Sequence, residues 1–277
     1  MMRKLVLLFV FTIGCNLFTL NGLVLNRVIL ASNNNDQYIQ FWPIVAPLWE
    51  QMGFRPTLAL IADENCNVDT EIGDVIRFKP IPGVSESLHA QSIRLLLPVL
   101  FPDDNCLISD IDMLPISRSY FVDGAAPCPE NAFLVYRDGA YSKNEKKYPM
   151  CYFGGKGRVF TSVFGVSTKP EIRRLIRKWS KLGHGWNTDE IMLYQYVNDW
   201  EQKGGNVFRL GHGVGPRLDR LYWNEQTKDL EISRYIDCHC PRPYIINKQS
   251  IDAIVQAITK YNAMKKSKSI KLTRKRL

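Results

Sequence analysis

Several common signatures are missing from this chain of 277 residues, and most of these absences argue against a class of site. No Cys-x-x-Cys pair occurs, so we expect no structural zinc site. No Gly-Lys-Ser/Thr ending follows the glycines of residues 154–157, so that segment is not a Walker phosphate loop, and we interpret it as a mobile turn. No Asn-x-Ser/Thr acceptor is present, so glycosylation gives no evidence on compartment. No basic and aromatic pattern of a nucleic-acid-binding module appears, and we expect no nucleic-acid partner.

Acidic residues are absent from the last thirteen positions, which contain seven basic residues. The formal net charge of the whole chain is +9, so the remainder carries 9 − 7 = +2. A segment of this composition is typical of a disordered tail, and its generic property is attraction to anionic surfaces. We therefore predict a disordered basic tail over residues 265–277. The nearly neutral body, residues 26–264, is long enough for one large α/β domain.

A largely apolar stretch, residues 5–25, follows the basic pair Arg3 and Lys4. It is long enough to span a bilayer as a helix. With the basic pair on the cytoplasmic side, it predicts a single-pass type II membrane protein, which in a eukaryote would face the lumen of the ER or Golgi. A cleaved signal peptide and a secreted protein are the alternative, although no small-x-small cleavage site stands out. The basic tail leaves the cytoplasmic face of a membrane as a third possibility.

Strand and helix patterns alternate along the chain. The runs that predict strands lie at residues 27–32, 57–62, 75–78, 105–109, 133–136, 158–166 and 207–210. The periodic segments that predict helices lie at residues 37–52, 88–97, 170–182, from 188 onward, and 249–264. This alternation favours an α/β fold, in which helices flank a mixed, mainly parallel central sheet within a single domain.

Two carboxylates one residue apart, Asp110 and Asp112, directly follow the apolar run at 105–109. Both can reach one hard divalent cation, directly or through water. Proteins bind a diphosphate through such a cation when some of its coordination positions are left open. Ligands of parallel sheets bind beyond the carboxyl ends of the strands, and Ser32 and Asn33 end the first predicted strand. We therefore expect these four side chains to face one crevice.

The segment 91–113 resembles the donor-binding core of nucleotide-sugar glycosyltransferases with the GT-A fold, in particular the family 8 group of glycogenin and galactosyltransferase-like enzymes. In that group an Arg-Leu pair on a helix, an apolar stretch with proline and a strand lead to a metal-binding Asp-x-Asp. The resemblance covers residues 27–245 and implies a GT-A (Rossmann-like) domain. It implies that Ser32 and Asn33 bind the nucleoside and that Arg94 braces the donor or the metal carboxylates.

A second part of the resemblance lies at residues 237–244. It is similar to the family's His…Lys-Pro-Trp element, which implies His239 as the third protein ligand of Mn²⁺ and Arg242 as a diphosphate contact, because a guanidinium can bind two phosphate oxygens at once. The spacing is shorter than the family's, and Tyr244 replaces the tryptophan. From the residues alone, His239 also fits a structural histidine, and His212 is a rival ligand.

The third part of the resemblance is Trp186-Asn187-Thr188-Asp189-Glu190, at the start of an apolar helix. In the family an acidic residue at this place, usually in Asp-Gln, lines the sugar site, which implies donor-sugar or catalytic roles for Asp189 and Glu190. From the residues alone the same pattern fits a helix cap with acidic residues in the first turn, and the two roles are compatible. Trp186 fits either stacking on an acceptor sugar or packing.

Together these residues predict a metal-dependent glycosyltransferase that moves a sugar from a nucleotide-diphosphate donor, a UDP-sugar, to a glycan, protein or lipid acceptor. The resemblance implies retention at the anomeric carbon and Mn²⁺ or Mg²⁺ held by Asp110, Asp112 and His239. One alternative is a phosphatase of the haloacid-dehalogenase type with Asp110 as nucleophile, although Leu114 stands where that family has Thr or Val. A non-catalytic sugar-binding protein of the same fold is the other.

Overall fold

A mixed seven-stranded sheet organises the structure, a computed structural model that describes residues 22–213, 215–223 and 230–274. The strands of the described residues are β1 Arg27–Asn33, β2 Arg55–Ile61, β3 Asp74–Phe78, β4 Asn105–Ser109, β5 Met113–Pro115, β6 Ala132–Asp138, β7 Tyr152–Lys156, β8 Asn206–Gly211 and β9 Asp237–His239. The sheet order is β3-β2-β1-β4-β7-β6-β8, and β5 pairs with β9 separately. Only β7 runs antiparallel to its neighbours in the sheet. The predicted α/β fold with a mixed, mainly parallel sheet is confirmed.

Helices cover both faces of this sheet. The α-helices of the described residues are α1 Asp36–Ile39, α2 Trp42–Gln51, α3 Glu86–Leu96, α4 Gly157–Phe164, α5 Lys169–Trp179, α6 Thr188–Gln202 and α7 Tyr244–Arg274. Successive side chains of a strand point to opposite faces, so β1 contributes Val28 and Leu30 to one core and Ile29 to the other. The first core also contains residues of α2 and α7, and the second contains residues of α3, α4, α5 and α6.

The predicted strand at residues 158–166 is wrong. These residues form α4, which buries Val159, Phe160, Val163 and Phe164. A short apolar run of β-branched and aromatic residues fits a buried helix as well as a strand, and periodicity alone does not separate them. The strand is instead the preceding β7, so the glycine run that we interpreted as a mobile turn lies mostly within the sheet.

The predicted single-pass type II localisation is wrong for the described residues, and most of the predicted anchor at residues 5–25 lies outside them. Residues 1–21 lie outside the described residues, and residues 22–25 are not helical. Leu23 and Leu25 are buried in the core, and the Leu23 N–H donates to the Cys128 carbonyl oxygen at 2.8 Å. Across the described ranges, no helix has both the length and the apolar character needed to cross a membrane. The end of the predicted anchor belongs to the folded body.

Residues 265–274, which the sequence assigns to a disordered tail, continue helix α7 in the structure. Helix α7 begins before the predicted helix at 249–264 and continues to Arg274, a length of 31 residues. Residues 265–274 contain no glycine or proline, and lysine and arginine are good helix formers, so nothing in this segment stops the helix. Ile251, Ile254 and Ile258 attach the first half of α7 to the core.

Gly157 occupies the junction of β7 and α4, where no side chain fits. A Cβ built on it would overlap the carbonyl oxygens of Phe101 and Pro98, which are backbone atoms and cannot rotate away. We expect Gly157→Ala to lower the free energy of unfolding by about 2 kcal/mol, measured by urea denaturation, because overpacking forces the backbone to shift. Gly211→Ala is the matched control, since nothing lies within 4 Å of its added Cβ. Equal stability of the two variants would contradict the packing of this junction.

Candidate functional site

A cavity of about 380 Å³ opens at the carboxyl ends of β1 and β4, where ligands of such sheets bind. Its volume is within the range of small-molecule sites. All the site residues singled out from the sequence line it, namely Ser32, Asn33, Arg94, Asp110, Asp112, Asp189, Glu190, His239 and Arg242. The structure therefore brings these residues together, although their individual roles stay predictions.

The pairing of β5 with β9 brings the second half of the chain to Asp112. Met113 pairs with His239, and the Cys240 N–H donates to the Asp112 carbonyl oxygen at 2.9 Å. As a result, His239 Nε2 lies 3.5 Å from Asp112 Oδ2. Arg242 Nε lies 3.3 Å from the same oxygen. The two functional segments thus meet through a short backbone ladder.

Arg94, on α3, lies between two carboxylates. Its Nη1 contacts Asp110 Oδ1, and its Nη2 lies 3.2 Å from Asp189 Oδ2. Arg94 is 9% exposed and Asp189 is 1% exposed, so this pair is shielded from water. Burial raises the pKa of Asp189, and the Arg94 charge opposes that rise. Asp189 Oδ1 also accepts a hydrogen bond from the Glu190 N–H at 3.0 Å, as a residue in the first turn of a helix can.

The donor set at Asp112 and His239 has the chemistry that Mn²⁺ or Mg²⁺ takes, carboxylate oxygen with imidazole nitrogen. Asp110 has the right side chain but is paired with Arg94. Accordingly, the described residues hold no group of three or more His, Cys, Asp or Glu side chains arranged around one position for an ion. Asp112 and His239 have side chains of the kind that binds such an ion, and these lie close together. Asp110 also has a suitable side chain, but it is paired with Arg94.

Glu190 is tied to the loop between β6 and β7. Its Oε1 accepts a hydrogen bond from the Tyr141 hydroxyl at 2.8 Å, and its Oε2 lies 3.8 Å from Lys147 Nζ. The Lys147 ammonium also lies 4.3 Å from the centroid of the Tyr141 ring. Burial raises the pKa of Glu190, and the hydrogen bond from Tyr141 opposes that rise. Glu190 thus holds this loop beside the cavity.

The β1 side of the cavity combines polar and aromatic groups. Ser32 and Asn33 end β1, and Tyr38 follows on α1. The Arg242 guanidinium carbon lies 4.5 Å from the centroid of the Tyr38 ring, a cation–π contact. Burial lowers the pKa of Arg242. The Nε atom of the same guanidinium lies 3.3 Å from Asp112 Oδ2.

The sequence analysis missed several residues that line the cavity: Tyr38, Arg137, Tyr141, Arg217, Asp219 and Arg220. Asp219 Oδ2 lies 3.7 Å from His239 Nδ1, and Arg220 Nη1 lies 3.7 Å from Asp112 Oδ2. A signal was present in Arg217-Leu218-Asp219-Arg220, three charged residues in four positions after a glycine-rich loop. No comparable signal marked Tyr38 or Tyr141.

The structure also shows where His212 and Trp186 lie, two residues for which the sequence left alternatives open. His212, the rival ligand, contacts Arg137 and not the aspartates: its Nδ1 accepts from Arg137 Nε at 3.3 Å. Trp186 lines the cavity with 63% of its surface exposed, and its carbonyl oxygen accepts from Gln91 Nε2 at 3.4 Å. It is therefore available for stacking and is not a core residue.

No protein-family model matches the chain, and no curated protein matches it. The resemblance to family 8 glycosyltransferases stays a prediction.

Arg94→Met would leave the buried Asp189 without its partner. Breaking a buried ion pair from one side costs roughly 3 kcal/mol or more, and we expect a loss of that order in urea denaturation. Adding Asp189→Asn should recover part of the loss, because it removes the unpaired charge. The surface control Arg118→Met breaks only the 3.5 Å pair with Asp123 and should change little. A double variant no more stable than Arg94→Met would contradict this assignment.

Proposed function

We propose that the chain is a metal-dependent glycosyltransferase that uses a nucleotide-diphosphate sugar, a UDP-sugar, and an acceptor that is a glycan, protein or lipid. The observation that carries the proposal is the meeting of Asp112, His239 and Arg242 in one cavity at the carboxyl ends of β1 and β4. A metal-binding carboxylate and imidazole beside a guanidinium suit a diphosphate bound through a cation. Retention is the stereochemical outcome that the resemblance implies.

Each charged group of the site has a separate part in binding the diphosphate. Asp112 and His239 would hold Mn²⁺ or Mg²⁺, with Asp110 as a further carboxylate. When bound, such an ion supplies positive charge that stabilises the leaving diphosphate. Arg242 binds phosphate oxygens, and its guanidinium lies over the Tyr38 ring, 4.5 Å from the ring centroid. Ser32 and Asn33 offer hydrogen bonds to the nucleoside from the end of β1.

The first turn of α6 is the proposed sugar side of the site. Glu190, with a side chain that is 16% exposed, is the more accessible carboxylate there, and the Asp189 side chain is only 2% exposed. Asp189 therefore acts by fixing Arg94, and Glu190 meets the sugar from beside Tyr141. Trp186, exposed at the cavity, offers a flat apolar surface to a sugar ring.

Calorimetric titration of the full chain with UDP, with and without Mn²⁺, tests the proposal. We expect binding that requires Mn²⁺ and that Asp112→Asn weakens at least tenfold, since the substitution removes an anionic ligand of the ion. Asp103→Asn is the matched control, because Asp103 is 78% exposed and pairs with Arg158 on the surface. Folding of each variant is checked by circular dichroism. Folded protein that binds no UDP with Mn²⁺ or Mg²⁺, or binds it equally after Asp112→Asn, would contradict the proposal.

A further inference from the structure

A second group of basic residues lies on the β6 side of the cavity. It consists of Arg137, near the end of β6, with His212 and Arg217 from the segment after β8; we call it the β6 cluster. Arg137 and Arg217 line the cavity, and His212 accepts a hydrogen bond from Arg137 Nε at 3.3 Å. None of these residues belongs to the proposed diphosphate site.

Arg137 differs from the other arginines of the cavity in its partners. Each of the others forms an ion pair with a carboxylate: Arg94 with Asp110 and Asp189, Arg217 with Asp237, and Arg220 and Arg242 with Asp112. Within the described ranges, Arg137 contacts no carboxylate. Its hydrogen bonds go to His212 and, at 3.2 Å, to the Cys151 sulfur.

The nearest acid along the chain does not neutralise Arg137 either. Asp138, the next residue, pairs with Arg209 at 3.7 Å. Asp237, the partner of Arg217, is fully buried, so it cannot turn toward the cavity. The β6 cluster therefore presents to the cavity the Arg137 guanidinium, which contacts no carboxylate in the described residues, beside the Arg217 guanidinium, which is paired with Asp237. A guanidinium without a contacting carboxylate creates a local positive potential that attracts anions.

The order of the strands gives the distance between the β6 cluster and the proposed diphosphate site. β6 lies two strands from β4, which carries the aspartates at its end, and three strands from β1, with Ser32 and Asn33. Since neighbouring strands are about 4.8 Å apart, roughly 10 Å separates the ends of β4 and β6. A sugar ring and its exocyclic groups fill a gap of this order. An anion at the β6 cluster is therefore carried by a substrate beyond the diphosphate.

We propose that the β6 cluster binds an oxyanion, a phosphate or a carboxylate, carried by the acceptor. Naming the acceptor rests on the proposed glycosyltransferase function, whereas the anion site itself rests on Arg137, Arg217 and His212. A guanidinium binds both classes through paired N–H groups. In the described residues the N–H groups of Arg137 donate to His212 and Cys151 and to no carboxylate. The acceptor would thus be an acidic sugar, a phosphorylated sugar or an acidic side chain.

Titration with inorganic phosphate and with acetate, followed by calorimetry, tests the site. The full chain is first saturated with UDP and Mn²⁺, so that the diphosphate site is filled. We expect Arg137→Gln to weaken anion binding at least tenfold and Arg137→Lys to retain part of it, because the charge remains but the paired N–H groups are lost. The matched control is Arg158→Gln on the surface, where the side chain is 62% exposed and pairs with Asp103. It should bind the anions as the unmodified chain does.

The outcomes separate this inference from the proposed function. Tighter binding of phosphate assigns a phosphorylated acceptor, and tighter binding of acetate assigns a carboxylate, so both support the site. Binding of UDP with Mn²⁺ but of neither anion, or equal anion binding by Arg137→Gln and Arg158→Gln, would overturn the site and leave the proposed function standing. If UDP does not bind, the same titration of the free protein still tests the anion site. Loss on Arg137→Gln would then support that site without a glycosyltransferase.

Discussion

The ion pairs of Arg94 with Asp110 and Asp189 are the constraint on which the arrangement of the cavity depends. They connect helix α3, the turn after β4 and the first turn of α6. Removing these charges from water costs several kcal/mol each unless they are paired, so the packing of α3 against α6 requires that all three side chains be in place. The cavity wall is therefore fixed by charge as well as by the apolar core behind it.

The charges around the cavity are compatible with the proposal that a metal and a donor bind together. Five arginines and five carboxylates line it, so the formal charge of the lining is 5 − 5 = 0: Arg94, Arg137, Arg217, Arg220, Arg242, Asp110, Asp112, Asp189, Glu190 and Asp219. A divalent cation alone or a diphosphate alone would disturb this balance. A cation bound together with a diphosphate diester would not, which favours metal-dependent binding.

Local patterns in the sequence predicted six of the seven strands of the sheet, all but β7, and the position of Asp110 and Asp112. A buried strand followed by acidic residues is recognisable without tertiary information. They failed at α4, where an apolar run fits two structures, and at residues 22–25, which pack into the core although they resemble a membrane segment. His239 was expected only from the resemblance. The strands that bring it to Asp112 have three residues each, too few for a periodic signal. Arg137 could not be singled out, since its lack of a carboxylate partner among the described residues is a property of the folded chain.

The most direct test of the account is the electron paramagnetic resonance of Mn²⁺ added to the full chain, with and without UDP. The account predicts that UDP increases the bound fraction of Mn²⁺, and that His239→Gln weakens this binding at least tenfold through loss of the imidazole ligand. His184→Gln, away from the cavity lining, should have no effect. Mn²⁺ binding that is unchanged by His239→Gln, or no bound Mn²⁺ in the presence of UDP, would contradict it.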